Sequence, residues 1–211
     1  MYLSKFNKPL EKFKNIYINK SAILFTTGPS IKKYKKFDGS QDTIKVGVNH
    51  IYDYPFILKQ LDYYFFGSGY HTQPIYKENI DRICKNYKFQ GMAASYENGR
   101  IKGKGNIHPD NAYELGAIPF ENNLVEFSND IANYAFLGHS IVFPVLQFLL
   151  YTGVNKIYLV GCDIYNSIDG EDHLLIWWNK FKKWYPRNYP NVEIISINPR
   201  GLKGFFSDYE L

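Results

Sequence analysis

The sequence predicts an α/β fold: a single Rossmann-like domain over residues 1–211, with a mainly parallel sheet, helices on both faces and room for a small lid. Two observations lead to this prediction. Short apolar runs alternate with segments of helical spacing, and most of these runs end in glycine-rich or polar residues. Strands that are joined by helical crossovers pair in parallel, and a chain of 211 residues suits one such domain.

Six apolar runs have the length and composition of buried strands. The run Lys156–Gly161 is the clearest, because it is apolar on both faces, as a central parallel strand must be. In chain order the predicted strands are Ser21–Thr27, Thr43–Asn49, Leu61–Phe66, Tyr87–Ala94, Lys156–Gly161 and Val192–Ile197, the last of the chain.

Three segments have helical spacing: residues 74–87, residues 130–151 and the amphipathic stretch His173–Tyr185. Pro144 lies inside the second segment, so we expect either a kink there or a helix that starts only near residue 142. Residues 100–126 are rich in Gly, Asn and Pro and have no clear period, which predicts a loop or lid within residues 100–128.

Composition restricts the function. The formal net charge of +5 favours anionic ligands such as nucleotides or acidic sugars, and no basic run is dense enough to indicate nucleic-acid binding. Aromatic residues reach 18%, which reflects either biased base composition of the source genome or a cleft rich in ring faces.

The two cysteines give no disulfide framework and no metal-like spacing, and we expect Cys162 to be a buried, inert thiol in a reducing, cytoplasmic setting. The longest apolar stretch, Ile141–Tyr151, is too short to span a bilayer, so no transmembrane segment is expected. A homo-oligomer is compatible with the sequence.

Ligands of open parallel sheets bind outside the carboxyl ends of the strands, so we sought candidate site residues there. The turn Thr27-Gly28-Pro29-Ser30 follows the first strand. Gly28 would let a ligand approach the backbone, and the N–H groups after it would face a phosphate at a helix start. The alternative is an ordinary strand-to-helix turn, since neither a dinucleotide nor a P-loop fingerprint is present.

Two further candidates follow other strands. The Asn49 amide can donate and accept hydrogen bonds at once, which suits a base or a sugar hydroxyl, although Asn is also a common turn residue. Asp163 would hold a ribose hydroxyl, a metal ion or, as a capping carboxylate, a helix N-terminus. Tyr165, two residues later, would donate to a phosphate oxygen.

Among the five histidines, His173 is the first candidate for a general base. It precedes an amphipathic helix, and the neighbouring acids Glu171 and Asp172 would raise its basicity. The alternative is a solvated or capping histidine. His139, next to Ser140, is a second candidate base, and no HxH or HExxH pattern groups the histidines as metal ligands.

Taken together, these segments resemble the small bacterial sialyltransferases, which transfer N-acetylneuraminic acid from CMP. The resemblance covers roughly residues 20–200, and its most specific part is the block Asn155-Lys-Ile-Tyr-Leu-Val-Gly-Cys-Asp-Ile-Tyr165. The Gly-Pro-Ser turn, Asn49 and the Tyr/Phe-rich third strand also match. His173, the helix after it and a closing strand that ends at Pro199 follow in the family's order.

The resemblance implies a role for each of these residues. His173 would deprotonate the hydroxyl of a glycan acceptor, and Tyr165 would stabilise the leaving phosphate, a task that a divalent metal performs elsewhere. No metal and no cofactor beyond the CMP-sugar donor would be needed. The residues implied to hold that donor are Thr27, Gly28, Pro29, Ser30, Asn49, Ser140 and Asp163.

The chain also departs from the family pattern. Thr27 replaces the family's Asn, and the Thr-Ser-Gly block becomes Gly138-His-Ser-Ile141 without the Arg that usually precedes it. The donor is therefore expected to be sialic acid or a related acidic sugar such as Kdo. Two alternatives stay open: an ATP-dependent enzyme that resembles the pterin pyrophosphokinases, and a non-catalytic module that binds nucleotide or glycan.

Overall fold

The computed structural model of the chain describes residues 10–34, 42–67, 78–80, 82–83, 86–87, 89–96, 112–118, 127–164 and 173–211. At 91–96, 112, 114, 116–118 and 173 only the backbone is described. Nine strands lie within these ranges: β1 (Ser21–Phe25), β2 (Ile44–Val48), β3 (Tyr63–Gly67), β4 (Gly91–Tyr96), β5 (Ala112–Ile118), β6 (Ala135–Phe136), β7 (Lys156–Val160), β8 (Glu193–Ile197) and β9 (Ser207–Tyr209).

The strands form one sheet in the order β6-β5-β4-β3-β2-β1-β7-β8-β9. Every pair of neighbours is parallel, which confirms the predicted fold class. The chain leaves β1 in one direction, to β2 and the strands beyond it, and later returns to place β7 on the other side of β1. The sheet therefore changes its winding direction between β1 and β7.

Helices cover both faces, as predicted. Helices α2 (Val142–Tyr151) and α3 (His173–Asn188) pack on one face, where Leu24 and Leu159 belong to the same core as Leu146 and Phe181. The other face is covered by the 3-10 helices Pro29–Lys33 and Asn49–Asp53 and by helix α1 (Pro55–Leu58). Helical residues within the predicted segment 74–87 also cover it, because residues 78–80 and 82–83 are helical and their Ile80 and Ile83 belong to the same core. Residues along each strand alternate between the two cores, because successive side chains of a strand point to opposite faces.

The sequence located most elements correctly, and the helix near residue 142 shows why. Helix α2 begins at Val142, so Pro144 lies in the first turn, where its missing N–H would have no intrahelical partner anyway. The prediction of a late start is confirmed. The stretch before it holds the two-residue strand β6 instead of helix.

Three strands were missed: β5, the two-residue β6 described above, and β9. Strand β5 lies inside the segment that was predicted to be a loop or lid, where its buried Tyr113 and Leu115 alternate with Gly and Glu in a Gly-rich context that hides the pattern. Val192–Ile197 is not the last strand, because β9 follows it. All three residues of β9 are exposed, so this strand has no apolar signal.

None of the described helices has the length and apolar character that crossing a bilayer requires.

Candidate functional site

The carboxyl ends of β1 and β7 meet at the point where the sheet changes its winding direction, which is where open α/β sheets bind ligands. The turn Thr27–Ser30 follows β1, and Asp163 follows β7. The backbone N–H of Ser30 donates to Asp163 Oδ2 at 2.6 Å. The structure thus joins two of the sequence-predicted segments, although 133 residues separate them.

Asp163 caps the short helix that starts after Gly28. Ser30 is the second residue of the 3-10 helix Pro29–Lys33, and its N–H has no partner within that helix. Asp163 Oδ2 accepts the hydrogen bond from this N–H. Of the roles expected for Asp163, the structure therefore shows the capping carboxylate. The other oxygen, Oδ1, is buried and has no hydrogen-bond partner among the described residues.

Gly28 allows a close approach, but the group that approaches is part of the same chain. A Cβ built on Gly28 would lie 2.3 Å from the carbonyl oxygen of Gly161 and 2.7 Å from Asp163 Cβ. The φ of Gly28 is −64°, so its backbone conformation does not itself require glycine. Gly161 shows the reciprocal constraint, because a Cβ there would lie 2.6 Å from the carbonyl oxygen of Thr26.

The N–H groups from Gly28 onward in this turn already donate to groups of the chain itself. Gly28 N–H donates to the Gly161 carbonyl at 2.9 Å, and Ile31 N–H donates to the Gly28 carbonyl at 3.0 Å. Pro29 has no N–H, and Ser30 N–H is bound to Asp163. The expected phosphate cradle of free N–H groups is therefore absent from the described turn, and Thr27 is the residue whose polar groups face no described partner.

Asn49 ties β2 to β3 and holds its amide in one orientation. Its φ is +45°, a left-handed conformation that Asn tolerates better than most residues. Its carbonyl accepts from Tyr64 Oη at 2.7 Å, and its Oδ1 accepts from Gly67 N–H at 3.1 Å. Because the oxygen faces Gly67, the amide nitrogen remains a donor without a partner in the described parts of the chain. Asn49 is thus both a turn residue and an oriented donor.

Ser140 lies in the turn from β6 to α2. Gly138 and His139 both have positive φ, +51° and +61°, which turns the chain sharply before Ser140 Oγ accepts from Val142 N–H at 3.3 Å. The described hydrogen bonds of Ser140 all join it to residues 137–143. The structure therefore shows Ser140 as part of the turn before α2, and none of its described hydrogen bonds reaches Asn49 or Asp163.

Gln147 holds this turn in place, although no sequence pattern singled this residue out. The side chain is fully buried in α2, and its Oε1 accepts from the N–H groups of Ser128 and Phe136 at 2.7 and 3.0 Å. Its Nε2 donates to the carbonyls of Phe136 and Phe143 at 2.8 and 2.9 Å. The Gln147 side-chain amide thus bonds both the N–H and the carbonyl of Phe136 in β6, as the backbone of a neighbouring strand would.

The two residues expected to carry the chemistry fall where side chains are not described. Tyr165 lies outside the described residues, as do Glu171 and Asp172. His173 forms the first residue of α3, in agreement with the predicted helix, and only its backbone is described. Within the described ranges, no three His, Cys, Asp or Glu side chains gather as metal ligands.

Cys162 has the properties of an inert thiol. Burial raises the pKa of its thiol to about 12, the hydrogen bond from Thr26 Oγ1 at 3.6 Å lowers the pKa, and the nearby charge of Asp163 raises it. The protonated thiol is less nucleophilic than the thiolate, so the raised pKa favours the less reactive form of Cys162 at neutral pH. The side chain is half-buried, whereas a buried thiol was expected.

Solved structures that are similar to this chain include sialyltransferases. The sialyltransferase CstII from Campylobacter jejuni, in complex with the substrate analogue CMP-3FNeuAc, has a TM-score of 0.50 and 14% identity over 90% of this chain and 84% of that one. CstII with cytidine-5'-monophosphate gives 0.48 and 12%, over 89% and 84%. An alpha-2,3-sialyltransferase from Campylobacter jejuni in apo form gives 0.46 and 15%, over 87% and 78%.

At such identities the first of these likenesses shows the fold and nothing finer. No protein-family model matches the sequence, and no curated protein matches it either.

Proposed function

We propose that this protein is a glycosyltransferase that transfers an acidic, sialic acid-like sugar from a CMP-sugar donor to a glycan acceptor. The observation that carries the proposal is the site between β1 and β7, where the Thr27–Ser30 turn and Asp163 meet on a fold shared with a CMP-sugar-dependent enzyme. Asn49 and Thr27 would contribute polar groups to the same edge of the sheet.

The chemistry of these side chains suits a cytidine nucleotide. The Asn49 amide nitrogen is an oriented donor, which fits the carbonyl oxygen or ring nitrogen of cytosine or a ribose hydroxyl. Asp163 Oδ1 is a buried acceptor without a donor, and an unpaired buried acceptor costs about 1–3 kcal/mol. A ribose hydroxyl or the cytosine amino group would satisfy it once local opening of the edge admits the ligand.

Two residues would carry the transfer itself. His173 would take the proton from the acceptor hydroxyl as that oxygen attacks the anomeric carbon of the donor sugar, with inversion. The bond from the sugar to the phosphate breaks, CMP leaves, and Tyr165 would donate to the phosphate oxygen that gains charge. The reaction would need no metal, and Ser140 would lie on the donor-sugar side of the site.

Thermal unfolding with added nucleotides tests the donor class. We expect CMP to stabilise the protein more than UMP, GMP or AMP, by about 2.7 kcal/mol when CMP is at 100 times its Kd. CMP release from CMP-N-acetylneuraminic acid and from CMP-Kdo, with a chelator present, then tests catalysis. A larger shift with ATP and magnesium would favour the pyrophosphokinase alternative. CMP binding without release from any donor would favour the non-catalytic module.

A further inference from the structure

Helix α3 carries a row of positive side chains on its outer side. Lys180, Lys183 and Arg187 are all exposed, and spacings of three and four residues place them in one line along the helix. Ile176, one turn earlier, lies on the same line with 53% of its surface exposed. No Asp or Glu occurs in α3, so no acid within the helix neutralises the row.

The crossover between β8 and β9 adds to this surface. Arg200 and Lys203 are exposed there, and Leu202 between them packs into the same core as α3. Lys182 Nζ donates to the Gly204 carbonyl at 3.3 Å, which ties the helix to the crossover. We call α3 and residues 200–203 the basic face.

The charge of the chain is concentrated here. Residues 173–206 hold six Lys and Arg and a single acid, Glu193, so the formal charge of this stretch equals the +5 of the whole chain. Glu193 pairs with Lys156 at 3.0 Å, and in the described part of the chain no ion pair involves the cations of the basic face. The acids at 169, 171 and 172 precede α3 and lie outside the described residues.

Tryptophan flanks the basic row. All three tryptophans of the chain lie on α3. Trp178 is buried in the core, whereas Trp177 and Trp184, seven residues apart, are partly exposed on one side of the row. Lys180 Nζ lies 4.0 Å from the centroid of the Trp177 ring. Indole rings favour the headgroup region of a bilayer, where one edge is apolar and the other polar.

We propose that the basic face docks on an anionic lipid bilayer, with α3 parallel to the membrane surface. Lys and Arg side chains attract anionic headgroups, while exposed Ile176 and the tryptophan edges enter the boundary between headgroups and acyl chains. A nucleic acid would match the cations but gives exposed Ile176 no apolar environment. The proposal does not depend on the proposed transferase activity.

Vesicle binding of the full chain tests this directly. Co-sedimentation with vesicles of phosphatidylcholine alone is compared with vesicles that also contain phosphatidylglycerol. We expect binding to the second kind only, weakened by salt. The native tryptophan fluorescence should shift to shorter wavelength at the same time, because every tryptophan belongs to α3. Absence of binding to the anionic vesicles overturns the proposal.

A triple variant, Lys180→Glu with Lys183→Glu and Arg187→Glu, removes the row. Each basic residue near an anionic surface contributes about a fivefold gain in affinity, so we expect a loss of at least about 100-fold. The Ile176→Ser variant removes an apolar contact and no charge. It should therefore weaken the part of vesicle binding that remains at high salt.

The matched control reverses three positive charges outside the basic face. Lys14, Lys20 and Lys59 are exposed and lie outside the basic face, and their triple change to Glu should lower affinity far less than the α3 variant does. Equal losses would mean that net charge alone drives binding and would overturn the assignment of the face.

Two further experiments use the unmodified chain, so their results do not depend on whether a variant folds. Lipids brominated near the headgroup should quench the tryptophan fluorescence of the unmodified chain, and failure to quench overturns the proposal. Binding to RNA or heparin with no binding to anionic vesicles also overturns it and identifies the basic face as a polyanion surface.

Discussion

Replacing Gly28 by alanine should destabilise the protein even when no nucleotide is bound. The new Cβ would lie 2.3 Å from the Gly161 carbonyl oxygen, closer than any real Cβ contact, and both partners are backbone that cannot rotate away. Overpacking of this kind costs about 1–3 kcal/mol. Disturbing the Gly28 N–H bond to the same oxygen adds about 1 kcal/mol.

One term opposes this loss. Gly28 has a φ of −64° in the folded chain, which alanine adopts without strain. Because alanine also lowers the conformational entropy of the unfolded chain, the substitution stabilises the fold by about 0.4–1 kcal/mol. The net expected loss is about 1–3.5 kcal/mol. For a chain of this length that lowers Tm by about 2–14 °C, and urea unfolding without ligand measures the free energy directly.

The control is Gly204→Ala. A Cβ at Gly204 meets nothing within 4 Å, but its φ is +75°, so only backbone strain of about 1 kcal/mol is expected. If Gly28→Ala unfolds within about 0.5 kcal/mol of the unmodified chain and loses CMP binding, the glycine serves a ligand and our account of its contact with Gly161 is wrong.

Three other predictions test the proposed site and its support. His173→Ala should lower the transfer rate about 10²–10⁴-fold and leave CMP affinity unchanged, and an ionisation in the imidazole range should vanish from the pH profile. Loss of transfer in His139→Ala but not in His173→Ala would show that the wrong histidine was chosen. Tyr165→Phe should slow transfer about 10²–10³-fold without unfolding the chain, and unchanged turnover would remove this hydroxyl from the site. Gln147→Leu leaves two N–H groups and a carbonyl of the β6 region unpaired and should cost about 3–5 kcal/mol in urea unfolding. The same change at exposed Gln60, which makes one bond to Phe56, should cost under about 0.5 kcal/mol; equal costs would contradict the role given to Gln147.

The sequence predicted the elements whose pattern is local. Strands β1 and β7 are apolar runs that are followed by a glycine within three residues, and Pro144 located the start of α2. Strand β9 has three exposed residues, so it forms only because β8 offers it backbone partners. The single-domain organisation over residues 1–211 stays a prediction, and strand β5 occupies residues 112–118 of the segment that was expected to be a loop or lid.

The contacts of the site could not be predicted, because they join distant parts of the chain. Nothing near Asp163 in the sequence indicates that its carboxylate binds Ser30 N–H. Gln147 stands in an apolar run, where a lone polar residue suggests solvent exposure, and yet it is fully buried with four hydrogen bonds. Donor and acceptor matching of this kind depends on tertiary structure.

The position of β7 beside β1 has a consequence for how the protein is made. During synthesis, β1 has left the ribosome long before its second neighbour, Lys156–Val160, exists. Until then one edge of β1 exposes unpaired N–H and C=O groups, which are a template for pairing with other chains. A topology with such distant partners folds slowly. We therefore expect a fragment that ends before residue 156 to aggregate, while one that ends after Ile197 should already bury this edge.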